Sequence, residues 1–330
     1  MRVTMRDVAA AVGVSTMTVS RALRDDVAVS AETRQKIRTT ADALGYTYDS
    51  TATAFRTQKS GFVAMTLPSL NNANFAETYR GLSGAMEGSE MQLLVGATNY
   101  RVAKEEALVR QLLTRNPEAL ILTGGHHTAA TRALVSARRV PVIEMWDLPA
   151  RPLGHAVGFS NAAAMALVVE HLVATGRRRL AFIGAAAGGD QRGAERREGA
   201  LAAAAAHGLT MTVLEAGEAP VSMRHSAALV ASMGRDVAAF DALVCVSDPV
   251  AFGALSACRR LGLDVPGTLA ITGFGRFEVA TVCEPAITTV DVCARQIGER
   301  VADVLMAAFE GDIAPQHIDI GATLTPGGTS

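Results

Sequence analysis

The sequence has few cysteines, little net charge and no long apolar run. Its four cysteines, Cys245, Cys258, Cys283 and Cys293, all lie in the last third, and none is spaced C-x-x-C from another. That pattern reads as buried free thiols and speaks against a metal or redox site. No stretch of eighteen apolar residues occurs, so no membrane-spanning helix is expected. Arginine near the N-terminus is not followed by the apolar segment of a signal peptide, which points to the cytoplasm. The 31 Lys and Arg nearly balance the 32 Asp and Glu, which argues against a general coat for nucleic acid. There is a single tryptophan, Trp146.

What is present is an apolar, alanine-rich composition, 49% hydrophobic and 19% charged. Such a chain is globular rather than disordered, and its length allows two or three folded units around a sizeable core. Charge is spread unevenly. Residues 1–60 carry nine Lys and Arg against six Asp and Glu, and the remainder 22 against 26. A weakly basic head on an acidic body suits a protein that touches DNA with one end only.

The chain is organised around residues 4–23, TMRDVAAAVGVSTMTVSRAL. Met5, Val8, Ala9 and Val12 fall at i, i+3, i+4 and i+7, one face of a short helix, with Thr4 as its cap and Asp7 in its first turn. Gly13 supplies a tight turn, and Ser15 caps a second helix whose Val19, Ala22 and Leu23 face inward. Thr16, Met17, Ser20 and Arg21 are left outside. Two short helices joined in this way form a helix-turn-helix, whose second helix fits the major groove of DNA. Ser30 opens a third helix with Ile37, Thr40, Ala41 and Leu44 inward, and Gly45 ends it.

Read letter by letter, Asp7-Val8-Ala9, Gly13-Val14-Ser15 and Thr18-Val19-Ser20-Arg21 resemble the lactose-repressor (LacI/GalR) family of bacterial transcription regulators. On such a head Thr16, Met17 and Arg21 are expected at base edges, with arginine suited to guanine and Met17 to a thymine methyl. Thr4, Ser15, Thr18, Ser20 and Ser30 are expected to hold phosphates. Residues 46–60, YTYDSTATAFRTQKS, read by themselves as a polar linker. In the resembled family this stretch is a hinge helix that wedges an apolar side chain into the minor groove. The resemblance puts Ala52 at the close helix contact and Phe55 at the wedge. Phe55 departs from the usual leucine, and Tyr48 stands where proline is usual.

From Gly61 the texture changes. Strand-like runs at 62–67, 91–96, 119–123, 140–145, 180–184, 212–215, 242–247 and 269–273 alternate with helix-like stretches. Those stretches fall near 75–89, 103–115, 128–138, 161–175, 194–207, 223–233 and 249–261. Strands separated by single helices build parallel sheets covered on both faces. Gly158-Phe159-Ser160-Asn161 looks like a crossing between two Rossmann-like lobes, and ligands in such sheets bind beyond the C-terminal strand ends.

Phe75-Ala76-Glu77, Ala156–Asn161, Arg196-x-x-Gly199, Ser247-Asp248, Thr272-Gly273-Phe274 and Leu324-x-Pro326-Gly327-Gly328 extend the resemblance over the whole chain. The fold it implies is α/β: a three-helix helix-turn-helix head (1–45), a hinge (46–60) and a two-lobed effector and dimerisation domain of periplasmic-binding-protein type I (61–330). By analogy the chain re-crosses near Thr288–Val290 and Gly321–Thr325. That makes lobe 1 about 61–157 with 290–320, and lobe 2 about 158–289 with 321–330. Leu67-Pro68-Ser69-Leu70, Pro141-Val142-Ile143-Glu144-x-Trp146-Asp147 and Leu324–Gly328 are most similar to the gluconate-utilisation repressors.

An anionic, hydroxyl-rich ligand needs an arginine for its carboxylate, hydrogen-bonding side chains for its hydroxyls and an apolar plane for its carbons. Arg196 is the motif-placed arginine, with Arg192 and Arg197 close competitors. Asp248 stands at a strand end, where a carboxylate can accept from hydroxyls. Ser247 before it departs from the usual asparagine. After Phe274 the common pattern has an aspartate; this chain has Gly275-Arg276, a change of charge that favours an acid over a neutral sugar if Arg276 faces the ligand and not solvent. Trp146 is either a stacking wall or a core residue. Asn74, Phe75, Thr123, Glu144 and Phe159 complete the expected site by alignment. His126-His127 lack a third ligand for a metal, and no cofactor is implied.

The reading is a ligand-controlled transcription regulator, expected as a homodimer on a near-palindromic operator. It fits best a repressor released by a sugar acid such as gluconate; a co-repressor of opposite sign fits the same residues. A solute-binding protein shares the two-lobed body but not the head. An enzyme is disfavoured: Gly184-x-x-x-Gly188-Gly189 lacks the spacing of a phosphate loop, and no nucleophile, base and orienter come together. No heptad tail for tetramers is visible at LTPGGTS.

Overall fold

A computed structural model describes residues 3–24, 27–47, 60–89, 91–138, 140–186, 189–311 and 314–330. Tyr48, Ala52 and Phe55, the hinge positions singled out above, lie outside the described residues. The chain divides into two compact units, Met1–Ser60 and Gly61–Ser330.

The first unit holds α1 (Met5–Val12), α2 (Thr16–Ala22) and α3 (Ala31–Leu44). The Asp7 carboxylate accepts from the amide and the hydroxyl of Thr4, which ties down the first turn of α1. Gly13 closes the helix in the left-handed region at φ 78°. Ser15 and Ser30 accept from the amides of Thr18 and Thr33 and so cap α2 and α3. The core consists of Val8, Ala9, Val12, Val19, Ala22, Val29, Ile37 and Ala41. Leu44, expected inward, is exposed, because it ends α3 one residue before the Gly45 cap and beyond the reach of that core. Each buried Val or Ile contributes roughly 1.5–3 kcal/mol, against about 1–2 kcal/mol per residue of backbone entropy. With so small a core, caps worth about 1 kcal/mol each matter to the head.

The second unit starts with β1 (Phe62–Leu67), α4 (Ala73–Ala85), β2 (Gln92–Ala97), α5 (Val102–Leu113), β3 (Ala119–Thr123), α6 (Ala129–Ser136), β4 (Val142–Met145) and β5 (His155–Gly158). It continues with α7 (Asn161–Ala174), β6 (Leu180–Gly184), α8 (Gln191–Ala206), β7 (Thr212–Glu215), α9 (Met223–Met233), β8 (Ala242–Cys245), α10 (Asp248–Arg260), β9 (Ala270–Thr272) and α11 (Glu278–Val282). Then come β10 (Thr289–Asp291), α12 (Ala294–Glu310), β11 (His317–Asp319) and β12 (Thr323–Thr325).

Two parallel sheets result. One has the order β11-β5-β4-β3-β1-β2, the other β7-β6-β8-β9. β1, β3 and β6 are among the strands almost wholly buried, as a sheet covered on both faces requires. The chain passes from the first sheet to the second between β5 and α7. It returns through β10, and α12 and β11 then join the first lobe, β11 pairing with β5. β12 pairs antiparallel with β10, and Thr329 beyond it bonds to Ile271 of the second sheet. These two antiparallel segments are where the chain changes lobes.

α12 packs along α4 at close range. A Cβ at Gly81 would overlap the carbonyl of Arg295, and one at Gly298 the carbonyl of Thr78. Backbone atoms cannot give way as a flexible side chain can, so both glycines are needed for the approach. Gly298→Ala is therefore expected to cost about 1–3 kcal/mol in a denaturant titration, the range for overpacking a dense contact; an unchanged midpoint and slope would show that the helices separate freely.

Candidate functional site

On the head, Thr16, Met17 and Arg21 project from α2 into solvent, Met17 at 59% exposure. An exposed methionine beside an exposed arginine is a surface that offers one apolar and one bidentate contact. Thr18 and Ser20 are half-buried on the same helix. Thr4, Ser15 and Ser30 are exposed at the N-termini of α1, α2 and α3, with their side chains engaged as caps. The exposed first turns that they fix are suited to anionic oxygens.

In the body, a cavity of about 300 Å3 opens between the lobes at the C-terminal strand ends. Ser69, Asn72, Asn74, Phe75, Tyr100 and Trp146 line it from the first lobe. Arg192, Arg196, Ser222, Ser247, Phe274 and Phe277 do so from the second. A smaller recess of about 60 Å3 adjoins it through Tyr100, Asp190 and Arg192, and includes Thr123 and Asp147.

Four aromatic rings run beneath. Phe75 meets Trp146 edge-on at 5.1 Å, Trp146 meets Phe159 at 5.9 Å, and Phe159 lies 6.2 Å from Phe274. Trp146 is buried, at φ 76°, and its indole N–H donates to the Thr78 hydroxyl on α4. That hydroxyl, with one proton to give, lies within hydrogen-bond distance of two carbonyls, Ala294 at 2.8 Å and Asn74 at 3.0 Å. The tryptophan is thus a wall of the cavity and part of the core together.

Two guanidiniums face the same space. Arg192 is 8% exposed and stands 5.6 Å over the Phe75 ring. Arg196 stands 4.6 Å over Phe274, with Nη2 3.6 Å from Asp190 Oδ2. Burial presses the Arg196 pKa downward; Asp190 opposes this and the neighbouring Arg192 charge adds to it. Asp147 accepts from the Gly125 amide and from Asn161 Nδ2. Burial raises it to about 6, against the pull of Arg192.

Several expected ligand residues lie elsewhere. Arg276 is half-exposed, ion-paired to Asp291 at 2.7 Å, and does not line the cavity. The strand β10 brings Asp291 beside it, and its solvent-facing alternative is the one realised. Asp248 is buried behind the wall. Its oxygens accept from Thr289 Oγ1 and the Phe277 amide, and burial raises it to about 6 despite those bonds. It holds the Phe274–Phe277 turn rather than facing the cavity. Glu144 is fully buried on the other side of β4, bonded to His127 Nε2 and the Leu153 amide. Thr123 faces only the smaller recess and donates to the Thr66 carbonyl. Phe159 lies under the floor. Asn74, Phe75, Trp146 and Arg196 do come together. Tyr100 and Ser222 line the cavity with no motif in the sequence to announce them, and Arg192 joins Arg196 there.

His127 has no exposed side-chain surface and bonds Glu105 Oε1 at 2.6 Å through Nδ1 and Glu144 Oε1 at 3.1 Å through Nε2. Among the described residues no His, Cys, Asp and Glu side chains form a metal-binding group. Burial works against the imidazolium, but the bonds and charges of both glutamates outweigh it and raise His127 to about 9. A pKa raised on folding gives stability that is full below the unfolded value and fades as pH rises through the folded one. The wild type should therefore lose Tm relative to His127→Gln between about pH 6.5 and pH 9; parallel Tm curves across that window would contradict the charged-histidine arrangement.

The comparisons agree on what the chain is similar to. Residues 4–49 match the model for bacterial regulatory proteins of the lacI family, and residues 169–330 that for a periplasmic binding protein-like domain. The HTH-type transcriptional regulator GntR of Escherichia coli K12 is 32% identical over 337 residues, covering 99% of this chain and 98% of that protein. A crystal structure of a LacI-family transcriptional regulator from Silicibacter pomeroyi superposes with a TM-score of 0.93 at 30% identity, covering 99% of both chains. The lac repressor dimer bound to operator and an anti-inducer has the same fold, with a TM-score of 0.84 at 22% identity, covering 100% of this chain and 99% of that one.

Proposed function

The chain belongs to the LacI family of bacterial regulatory proteins, DNA-binding transcriptional regulators, and on that premise we propose that it is a repressor released from its operator by a sugar acid. One observation carries the effector class: two guanidiniums, Arg192 buried and Arg196 half-buried, face a cavity that also holds Asn72, Asn74, Ser222 and Ser247. Arginine forks match a carboxylate, and the amides and hydroxyls match a polyol chain. Similarity to the regulators named GntR favours gluconate, followed by its keto and phosphorylated relatives.

One head covers only a few base pairs, so a two-fold homodimer on a near-palindromic operator is the functional unit. Thr16, Met17 and Arg21 read bases; Thr4, Ser15, Thr18, Ser20 and Ser30 position the head on phosphates, and Ala52 and Phe55 serve the hinge. Acid-bound and operator-bound proteins belong to opposing populations. Whatever factor the acid takes from operator affinity, operator takes from acid affinity.

Operator duplexes selected from a random pool test this reading. Gluconate should weaken operator binding, and operator should weaken gluconate binding by the same factor. Weakening by neutral sugars alone would overturn the acid reading, and tighter operator binding with gluconate would make the ligand a co-repressor.

A further inference from the structure

We propose that Arg192 sets the preference of this cavity for an acid: together with Arg196 it grips the ligand carboxylate, and it supplies the positive charge that a neutral sugar does not need. The proposal rests on the sugar-acid reading above and names the residue that makes it so.

Arg192 lies at the start of α8 and lines both the main cavity and the smaller recess, so its guanidinium stands at their junction. It is 8% exposed, yet among the described residues no hydrogen-bond acceptor is paired with its five N–H groups. Phe75 lies 5.6 Å under the guanidinium carbon. Stacking of that kind occupies the face of the plane and leaves the edges, where the donors are, to a ligand.

Arg196 is built the same way. Phe274 takes its face at 4.6 Å, and its Nε is buried with no partner. Its contact with Asp190 Oδ2, at 3.6 Å, is too long for a hydrogen bond. Buried donors left unpaired are costly; Arg196 Nε is one, while the Arg192 donors, not buried atom by atom, open on the cavity that both side chains line. A carboxylate placed there would meet both guanidiniums.

The anions of the protein do not do this job. Asp147, the carboxylate beside Arg192, already accepts from Gly125 and Asn161 with its two oxygens. Asp190 partners Arg196 alone, which leaves that pair close to neutral and able to serve uncharged hydroxyls. Asp147 acts on Arg192 through space, without a hydrogen bond to it, so Arg192 keeps a positive edge free for a ligand. Arg276 cannot supply one, being paired to Asp291 away from the cavity.

The test is calorimetric titration of the full chain with gluconate and with glucitol, the six-carbon polyol that lacks the carboxylate. Wild type, Arg192→Gln, Arg192→Lys and Arg276→Gln are compared, each first shown to unfold cooperatively. Wild type should prefer gluconate by tenfold or more. Arg192→Gln should lose about ten- to hundredfold in gluconate affinity, the range for a charge-assisted bond, while glucitol changes by less than about threefold. Arg192→Lys should keep part of the preference, since the charge remains but the fork is gone, and should decide the matter if the glutamine variant does not fold. Arg276→Gln should keep all of it. A wild-type gluconate-to-glucitol ratio in the Arg192 variants, or an equal loss of both ligands, would overturn the proposal while leaving the sugar-acid reading in place. A wild type with no preference for gluconate would remove that reading and this proposal together.

Discussion

The interlobe cavity depends on a seam of four aromatic rings. Phe75, Trp146, Phe159 and Phe274 run from one lobe to the other in contacts of 5.1–6.2 Å. Each such pair is worth about 0.5–1.5 kcal/mol beyond its buried area. The seam also fixes what stands above it, because Phe75 and Phe274 each carry an arginine on one face. The same rings that join the two lobes therefore orient the two cations at the ligand cavity, and a movement of one lobe against the other would change the spacing of those cations.

The tryptophan shows how core and cavity are coupled. Its indole bonds Thr78 on α4, Thr78 bonds the start of α12, and α12 approaches α4 through Gly298. α12 lies between the two crossing strands β10 and β12 in sequence. A ligand that touches Trp146 thus touches a side chain held by the helix pair flanking the interlobe crossings. Asp248, hidden behind the wall, holds the Phe274–Phe277 turn in a comparable way through Thr289 of β10.

The head and most of the sheets were legible because their signals are local. Spacings of three and four residues marked α1 to α3, and runs such as FVAMTL and LAFIG marked buried strands. β10, β11 and β12 are three residues each, with Thr, His and Asp and no apolar run, and β5, HAVG, has only two adjacent apolar residues, so none reads as a strand by its pattern. α12 was legible and missed: Ile297, Val301, Val304 and Leu305 are buried at helical spacing. Side-chain direction was not legible. Glu144 and Trp146 both sit at the end of β4, yet one turns to His127 and the other into the cavity, since Trp146 takes a positive φ that no spacing announces. Nor could spacing tell that Arg276 would meet Asp291, fifteen residues on, while Arg192 would stand over the Phe75 ring.

Because Trp146 is the only tryptophan in the chain and lies in the floor of the cavity, tryptophan fluorescence, excited where tyrosine does not absorb, reports on this site. Titrating the full-length protein with gluconate should give a saturable change in Trp146 emission whose midpoint matches the affinity found by calorimetry. Calorimetric binding of gluconate with unchanged Trp146 emission would place the ligand elsewhere and contradict the account.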